Sequence, residues 1–258
     1  MSKILAAIII VALALAAAGC TGITIKVEPA TITNAQADNG ELTSAESVPK
    51  SEEAALTTPE AAIMQYLEGV AQNDIGKIMA ASAVDQMSEG FQLEQHVELI
   101  GGNLNWLNTP APVNYPFYVA ANKVQQTARI LTQVKFLAYA LLSGEDIASE
   151  RPIFDIDAER TRKFITDVDP ARLATIEVKE ISFPVPSYED DSRYVEDSAK
   201  RASLYGADEY TERVVIFSFE GRDYYLGFQL LRFGANWKVM EQFSPLGNTS
   251  PSGIPVRQ

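Results

Sequence analysis

One cysteine, Cys20, and one histidine, His96, stand in a chain of 258 residues, and their scarcity restricts the chemistry open to it. A thiolate is a nucleophile and a metal ligand. A lone cysteine makes no disulfide within the chain, however, and with a single histidine it supplies too few ligands for a structural zinc site. His96 is a candidate general base, because an imidazole titrates near neutral pH. Its neighbours Gln92, Glu94, Gln95 and Glu98 predict a solvated position instead. Carboxylates gather at Asp155 and Asp157, at Asp167 and Asp169, and at Glu189-Asp190-Asp191. None of these lies in a twelve-residue loop with the glycine that a calcium site of that type requires. They are expected to be solvated loop residues, and no metal site is assigned. A serine triad would have to use His96, with no local support. No phosphate loop, nucleophile elbow or dinucleotide glycine pattern is present, so no cofactor is expected.

Aromatic residues concentrate near the C-terminus: Tyr224, Tyr225, Phe228, Phe233 and Trp237. Packing between a sheet and helices accounts for most of them. Tyr225 and Trp237 are the first candidates to line a ligand pocket, because each carries a polar tip that needs a partner.

The setting of Cys20 is more specific. One basic residue, Lys3, precedes an unbroken apolar run from Ile4 to Ala18; small residues Ala17, Ala18 and Gly19 lead into Cys20. The run is about 15 residues, or roughly 22 Å as a helix, against about 30 Å of hydrocarbon. That is short for a permanent span and suits a signal-peptide core. Residues 1–20 resemble the signal peptide and lipobox of a bacterial lipoprotein. The resemblance implies cleavage between Gly19 and Cys20, lipidation of the Cys20 thiol with palmitate-type chains, and attachment to the extracytoplasmic face of the cell membrane. Two or three acyl chains make such attachment stable. The lipid bilayer, reached through the Cys20 acyl chains, is then the first partner.

Removing residues 1–19, which carry only Lys3, takes the formal charge from −13 to −14. So acidic a chain is repelled by phosphates, which excludes nucleic acid as a partner. With no disulfide, stability must come from a packed core, and the length suffices for one domain.

Residues 20–57 are rich in Thr, Ala, Ser, Glu and Asn without periodicity and read as lipid anchor and flexible tether. A single domain is expected over 58–244. Thr57 with Glu60 fits a capping box; Thr58 before Pro59 fits a cap with proline at the first helical position. Ile63, Met64, Leu67, Val70 and Ala71 follow at helical spacing. Asn73-Asp74 opens a second helix with Ile75, Ile78 and Met79 on one side. Short helical pieces and loops are expected over 83–118. A long helix follows from about Tyr118 to Leu142, its stripe running through Val124, Thr127, Leu131, Val134, Ala138 and Leu141, widened by Ile130 and Leu137. Sparse charge predicts that it is well buried. A short helix at 158–166, an extended stretch from Leu173 to Phe183 and a helix from Arg193 to Tyr205 come next. Tyr210 to Phe219, Tyr224 to Phe233 and Trp237 to Phe243 read as an antiparallel meander, with turns at Gly221-Arg222-Asp223 and Gly234-Ala235-Asn236. Residues 245–258 read as a disordered tail. The fold class is therefore α+β: N-terminal and central helices packed on a C-terminal antiparallel sheet of three meander strands and one earlier strand.

Two segments carry a second resemblance. The opening Thr58-Pro59-Glu60-Ala61-Ala62 with Asn73-Asp74, and the ending Leu231 to Val239 with its tryptophan after a turn, are similar to the nuclear-transport-factor-2-like superfamily. The resemblance implies a sheet curved into a cone around a helix. Members include isomerases, dehydratases and non-catalytic binding modules, so fold does not choose among them. The expectation is a membrane-anchored, non-catalytic module that binds a small ligand or another envelope protein. The alternative is an enzyme of the cone-shaped fold, with a buried carboxylate transferring a proton on an apolar substrate; Asp223 and Glu241 lie nearest the ends of the meander. An importer's solute receptor would need repeated strand–helix units, which the pattern lacks.

Overall fold

The computed structural model describes residues 55–102, 109–143, 158–243 and 256–257, all within one compact unit, Glu52–Gln258. The unit reaches back to Leu56, which is buried and whose carbonyl accepts a 2.7 Å bond from the Trp237 N–H. The segment expected as tether therefore already contributes to the core at that residue.

Helix α1 (Pro59–Ala71) uses the Thr58-Pro59 start: Ala61 N–H donates to the Thr58 hydroxyl at 3.1 Å. Its buried side presents Ile63, Tyr66, Leu67 and Val70. Asn73 takes a left-handed turn (φ 56°). Asp74 then caps α2 (Ile75–Ala81) by accepting from Lys77 N–H at 3.0 Å. Ile78 enters the core, whereas Ile75 remains 56% exposed, off the apolar side expected for it. Two short helices follow, α3 (Val84–Gly90) and α4 (Leu93–Leu99).

The long helix α5 spans Pro116–Leu142. Its buried side is Asn122, Gln126, Ile130, Gln133, Leu137 and Leu141, and Val124 is 71% exposed. The helix keeps Ile130, Leu137 and Leu141 of the expected stripe inward but is rotated so that Val124 faces out. The reason is polar. Asn122 Oδ1 accepts from Ala111 N–H at 2.7 Å, and its amide donates to Ala111 O at 2.9 Å. Gln133 accepts from Gln242 at both its side chain and its backbone carbonyl. Buried polar groups must be paired, and these partners hold the amide-bearing face inward.

After α6 (Ala158–Asp167), Leu173 lies in a 3-10 turn, Pro170–Thr175, rather than in extended chain. Strand β1 is Glu177–Ser182. Asp191 caps α7 (Ser192–Ser203) by accepting from the N–H groups of Arg193 and Tyr194.

Strands β2 (Glu209–Phe219), β3 (Arg222–Phe233) and β4 (Asn236–Phe243) form the meander, and the antiparallel order is β1-β2-β3-β4. Pairing of β2 with β3 runs unbroken from Glu209↔Arg232 to Phe219↔Arg222. The turn between them is Glu220-Gly221, with φ of 49° and 75°. Two residues at positive φ match the twist of a tight hairpin, so Arg222 and Asp223 already belong to β3. The β4 pairing ends at Gly227↔Phe243. Beyond it Val256–Arg257 adds a short strand, β5, against Tyr224 and Tyr225. At those two residues the expectation of a disordered tail is corrected, because the stretch of β3 past β4 is an open edge that pairing satisfies.

The sheet remains open and does not close into a cone. Ala83 N–H donates to Val239 O at 2.8 Å, and Gln242 N–H donates to the Gln133 side chain at 3.2 Å, so the outer edge of β4 is covered. One sheet face, with Val215, Phe217, Leu226, Phe228, Leu230 and Val239, packs on Ile63, Tyr66 and Leu67 of α1 and Ile130, Leu137 and Leu141 of α5. The opposite side chains Tyr210 and Leu231 join Met87, Phe91, Ala202, Leu204 and Tyr205 in a second cluster.

Candidate functional site

Strand β1 pairs only with Val214–Ser218, so the first half of β2 lacks a strand neighbour on that side. Helix α7 packs against β2. A cleft of about 280 Å³ lies here, lined by Phe183, Tyr194, Ser198, Thr211, Arg213 and Trp237, with Glu189, Asp208 and Glu209 also contributing. The Phe183 and Tyr194 rings meet edge to face at 5.2 Å.

Five charged groups around the cleft are held in place. Arg213 donates to Glu60 Oε1 at 2.8 Å, to the Thr211 hydroxyl at 2.7 Å and to Glu212 O at 2.8 Å. Its guanidinium lies 5.8 Å from the Phe183 ring centre, within range of a cation–π contact. Glu60 stands in the first turn of α1, where a carboxylate favours the helix dipole. Burial pushes the Glu60 carboxyl up, but the Arg213 hydrogen bond and charge outweigh it and hold it below the ordinary glutamate value. Arg232 donates to Glu209 at 2.9 Å and to Gly234 O at 3.0 Å, with its guanidinium 6.0 Å from the Trp237 ring. Asp208 accepts from Gly234 N–H at 2.7 Å.

The Tyr194 and Tyr210 phenols are held in the neutral form. Burial, and then the Glu212 carboxylate, raise the Tyr194 phenol; the Ser198 and Thr211 hydroxyls lie close to it, but its oxygen makes no well-aligned hydrogen bond. Tyr210 is raised by the same two causes and donates to Glu212.

Of the two expected pocket residues, Trp237 lines this cleft and Tyr225 does not. Trp237 is only 6% exposed, so it is both a core side chain and a wall. Tyr225 is opposite Ile216 and Val256 in the sheet and shares neither face nor end with Trp237, because neighbouring strand residues alternate in direction. Asp223 accepts from Lys179 at 2.6 and 2.8 Å, and Glu241 is ion-paired with Arg129. The two carboxylates nearest the ends of the meander are therefore engaged with cations. Asp167 pairs with Lys163, and Asp169 and Asp191 are helix caps. His96 departs from the solvated position expected of it. It is half-buried, its ring 5.5 Å from Phe91, and Nδ1 has no hydrogen-bond partner among the described residues. Cys20, Asp155 and Asp157 lie outside the described residues. Among the described residues no group of three or more His, Cys, Asp or Glu side chains could hold a metal ion.

Sequence reasoning missed Phe183, Tyr194 and Arg213. A charged residue in the strand Arg213-Val214-Val215-Ile216-Phe217 was a visible signal, but its partner Glu60 lies 153 positions away. A second cavity of about 270 Å³, lined by Leu141, Arg172, Phe219, Glu220, Arg222 and Tyr224, carries a forked Arg172–Glu220 pair at 2.7 Å on both arms.

Fold and cleft together define an α+β domain with an open antiparallel sheet and an aromatic cleft under one helix. No protein-family model matches the chain, and no curated protein matches it. Among solved structures it is similar to a cystatin-like protein from Ruminococcus gnavus ATCC 29149, with a TM-score of 0.50 and 20% identity over 70% of this chain. The chain spans 38% of that protein's length, and at this identity the likeness speaks for fold alone.

Proposed function

We propose that this chain is a bacterial lipoprotein, anchored through Cys20 to the extracytoplasmic face of a membrane, whose folded unit is a non-catalytic binding module. It takes a small ligand or part of another envelope protein in the cleft under α7. The observation that carries the anchor is the order of residues 3–20: one base, an apolar run, small residues, and then the chain's single cysteine. Recognition is supported by the cleft's composition. Two guanidinium–carboxylate pairs border it, Arg213 with Glu60 and Arg232 with Glu209, and they fix its shape rather than poise those groups for proton transfer. The test is metabolic labelling with a fatty acid, combined with fractionation. The wild-type chain takes up label and sediments with membranes. Cys20→Ala loses the label and either leaves the membrane fraction or stays uncleaved. A wild-type chain that takes up no label overturns the anchor.

A further inference from the structure

Four charged side chains line the cleft under α7, and three of them are matched. Arg213 is paired with Glu60 and Glu209 with Arg232, while Asp208 accepts from Gly234 N–H with Arg232 4.0 Å away. Glu189 lines the same cleft and is exposed, and its carboxylate has neither hydrogen bond nor ion pair among the described residues. Acceptors are also in surplus on the elements beside it. The Tyr194 hydroxyl oxygen and Gln229 Oε1 are without a partner among the described residues. Glu212, opposite Gln229 in the sheet, accepts from neutral donors, Tyr210 and Gln229. The lining therefore carries three carboxylates and one guanidinium. A cleft with one sign of charge in excess concentrates ligands of the other sign. Its rings suit a cation as well: Phe183 faces Arg213 at 5.8 Å, and Trp237 faces Arg232 at 6.0 Å.

We infer that the cleft takes an alkylammonium group, with Glu189 as its counter-ion and the walls formed by Phe183, Tyr194 and Val195 around its stem. The inference rests on the reading of this cleft as a binding site. An ammonium brings N–H donors and no acceptor, which is what a surplus of oxygens lacks. A carboxylate or phosphate would meet Glu189, Asp208 and Glu209, with Arg213 and Arg232 already committed to carboxylates. A neutral polar group would leave the Glu189 charge unmatched. The volume of about 280 Å³ is just below the roughly 300–1,000 Å³ of drug-sized pockets, so the cleft suits a short group rather than an extended chain. A free amine and a lysine side chain of another envelope protein present the same group.

The full-length chain in detergent tests this through its tryptophan fluorescence, since Trp237 lines the cleft. It is titrated at constant ionic strength with butylammonium chloride, butanol, sodium butyrate and an end-blocked Ala-Lys-Ala peptide. Butylammonium should give a saturable change that butanol and butyrate do not. Glu189→Gln, at an exposed position, should leave the melting temperature unchanged. It should raise the butylammonium Kd about tenfold, the loss of one charge-assisted contact. Tighter binding of the peptide than of butylammonium assigns the group to a partner's lysine, and weaker binding assigns it to a free amine. An equal response to butanol or butyrate, or a Kd unchanged by Glu189→Gln, overturns the ammonium inference and leaves the cleft a binding site. No response to any of the four probes overturns both.

Discussion

The side chains that hold α5 to the sheet are amides. Gln242 donates from its backbone to Gln133 Oε1 at 3.2 Å and from its side chain to Gln133 O at 2.6 Å, and its Oε1 faces the Tyr66 hydroxyl at 3.3 Å. All three residues are buried. Gln133→Leu removes the buried acceptor of the Gln242 N–H and should cost about 1–3 kcal/mol in denaturant unfolding. Tyr66→Phe keeps the ring and should cost less, about 1 kcal/mol. Glu60 gives a pH signature. Its folded-state pKa lies below the unfolded value, so its contribution is present above pH about 4.3 and is lost as pH falls through the folded value. Between pH 6 and 3 the wild type should therefore lose more thermal stability than Glu60→Gln; parallel curves would show that the Arg213 pair contributes nothing. Trp237→Ala opens the cleft and leaves a core void, and should destabilise by about 3–5 kcal/mol. A melting temperature nearly unchanged by Trp237→Ala would make it a wall of the cleft and not a core residue.

At the scale of elements, local chemistry was largely legible. Thr58-Pro59 and Asn73-Asp74 place helix starts, and the β-branched and aromatic runs after Glu209 place the strands close to where they occur. What failed was orientation. Apolar periodicity on α5 favoured Val124 and Leu131 together with Ile130, Leu137 and Leu141; the last three are buried, but the pairing of Asn122 and Gln133 with backbone elsewhere turned Val124 outward. No local pattern encodes such partners. The same limit hid the junction of α3 with the chain after α7: a Cβ on Gly90 would stand 2.2 Å from Tyr205 O. Backbone cannot yield as a side-chain tip can, so Gly90→Ala should cost about 1–3 kcal/mol. An unchanged denaturation midpoint would show that the two segments separate freely.

For the whole molecule, the fold class and the meander were within reach of the residues, whereas the cleft was not. It depends on α7 lying along the half of β2 that β1 leaves unpaired, and on Glu60 meeting Arg213 across 153 positions. The β5 pairing was likewise invisible, since two residues carry no periodicity. Localisation rests on the opposite kind of information: a short linear pattern at residues 3–20 that requires no fold. Its most direct measurement is the intact mass of the protein extracted from membranes, with sequencing of its first peptide. The account predicts a chain beginning at position 20, its mass raised by a diacylglyceryl group and further acyl chain on Cys20. A chain that retains residues 1–19, or begins at position 20 with an unmodified thiol, would contradict it.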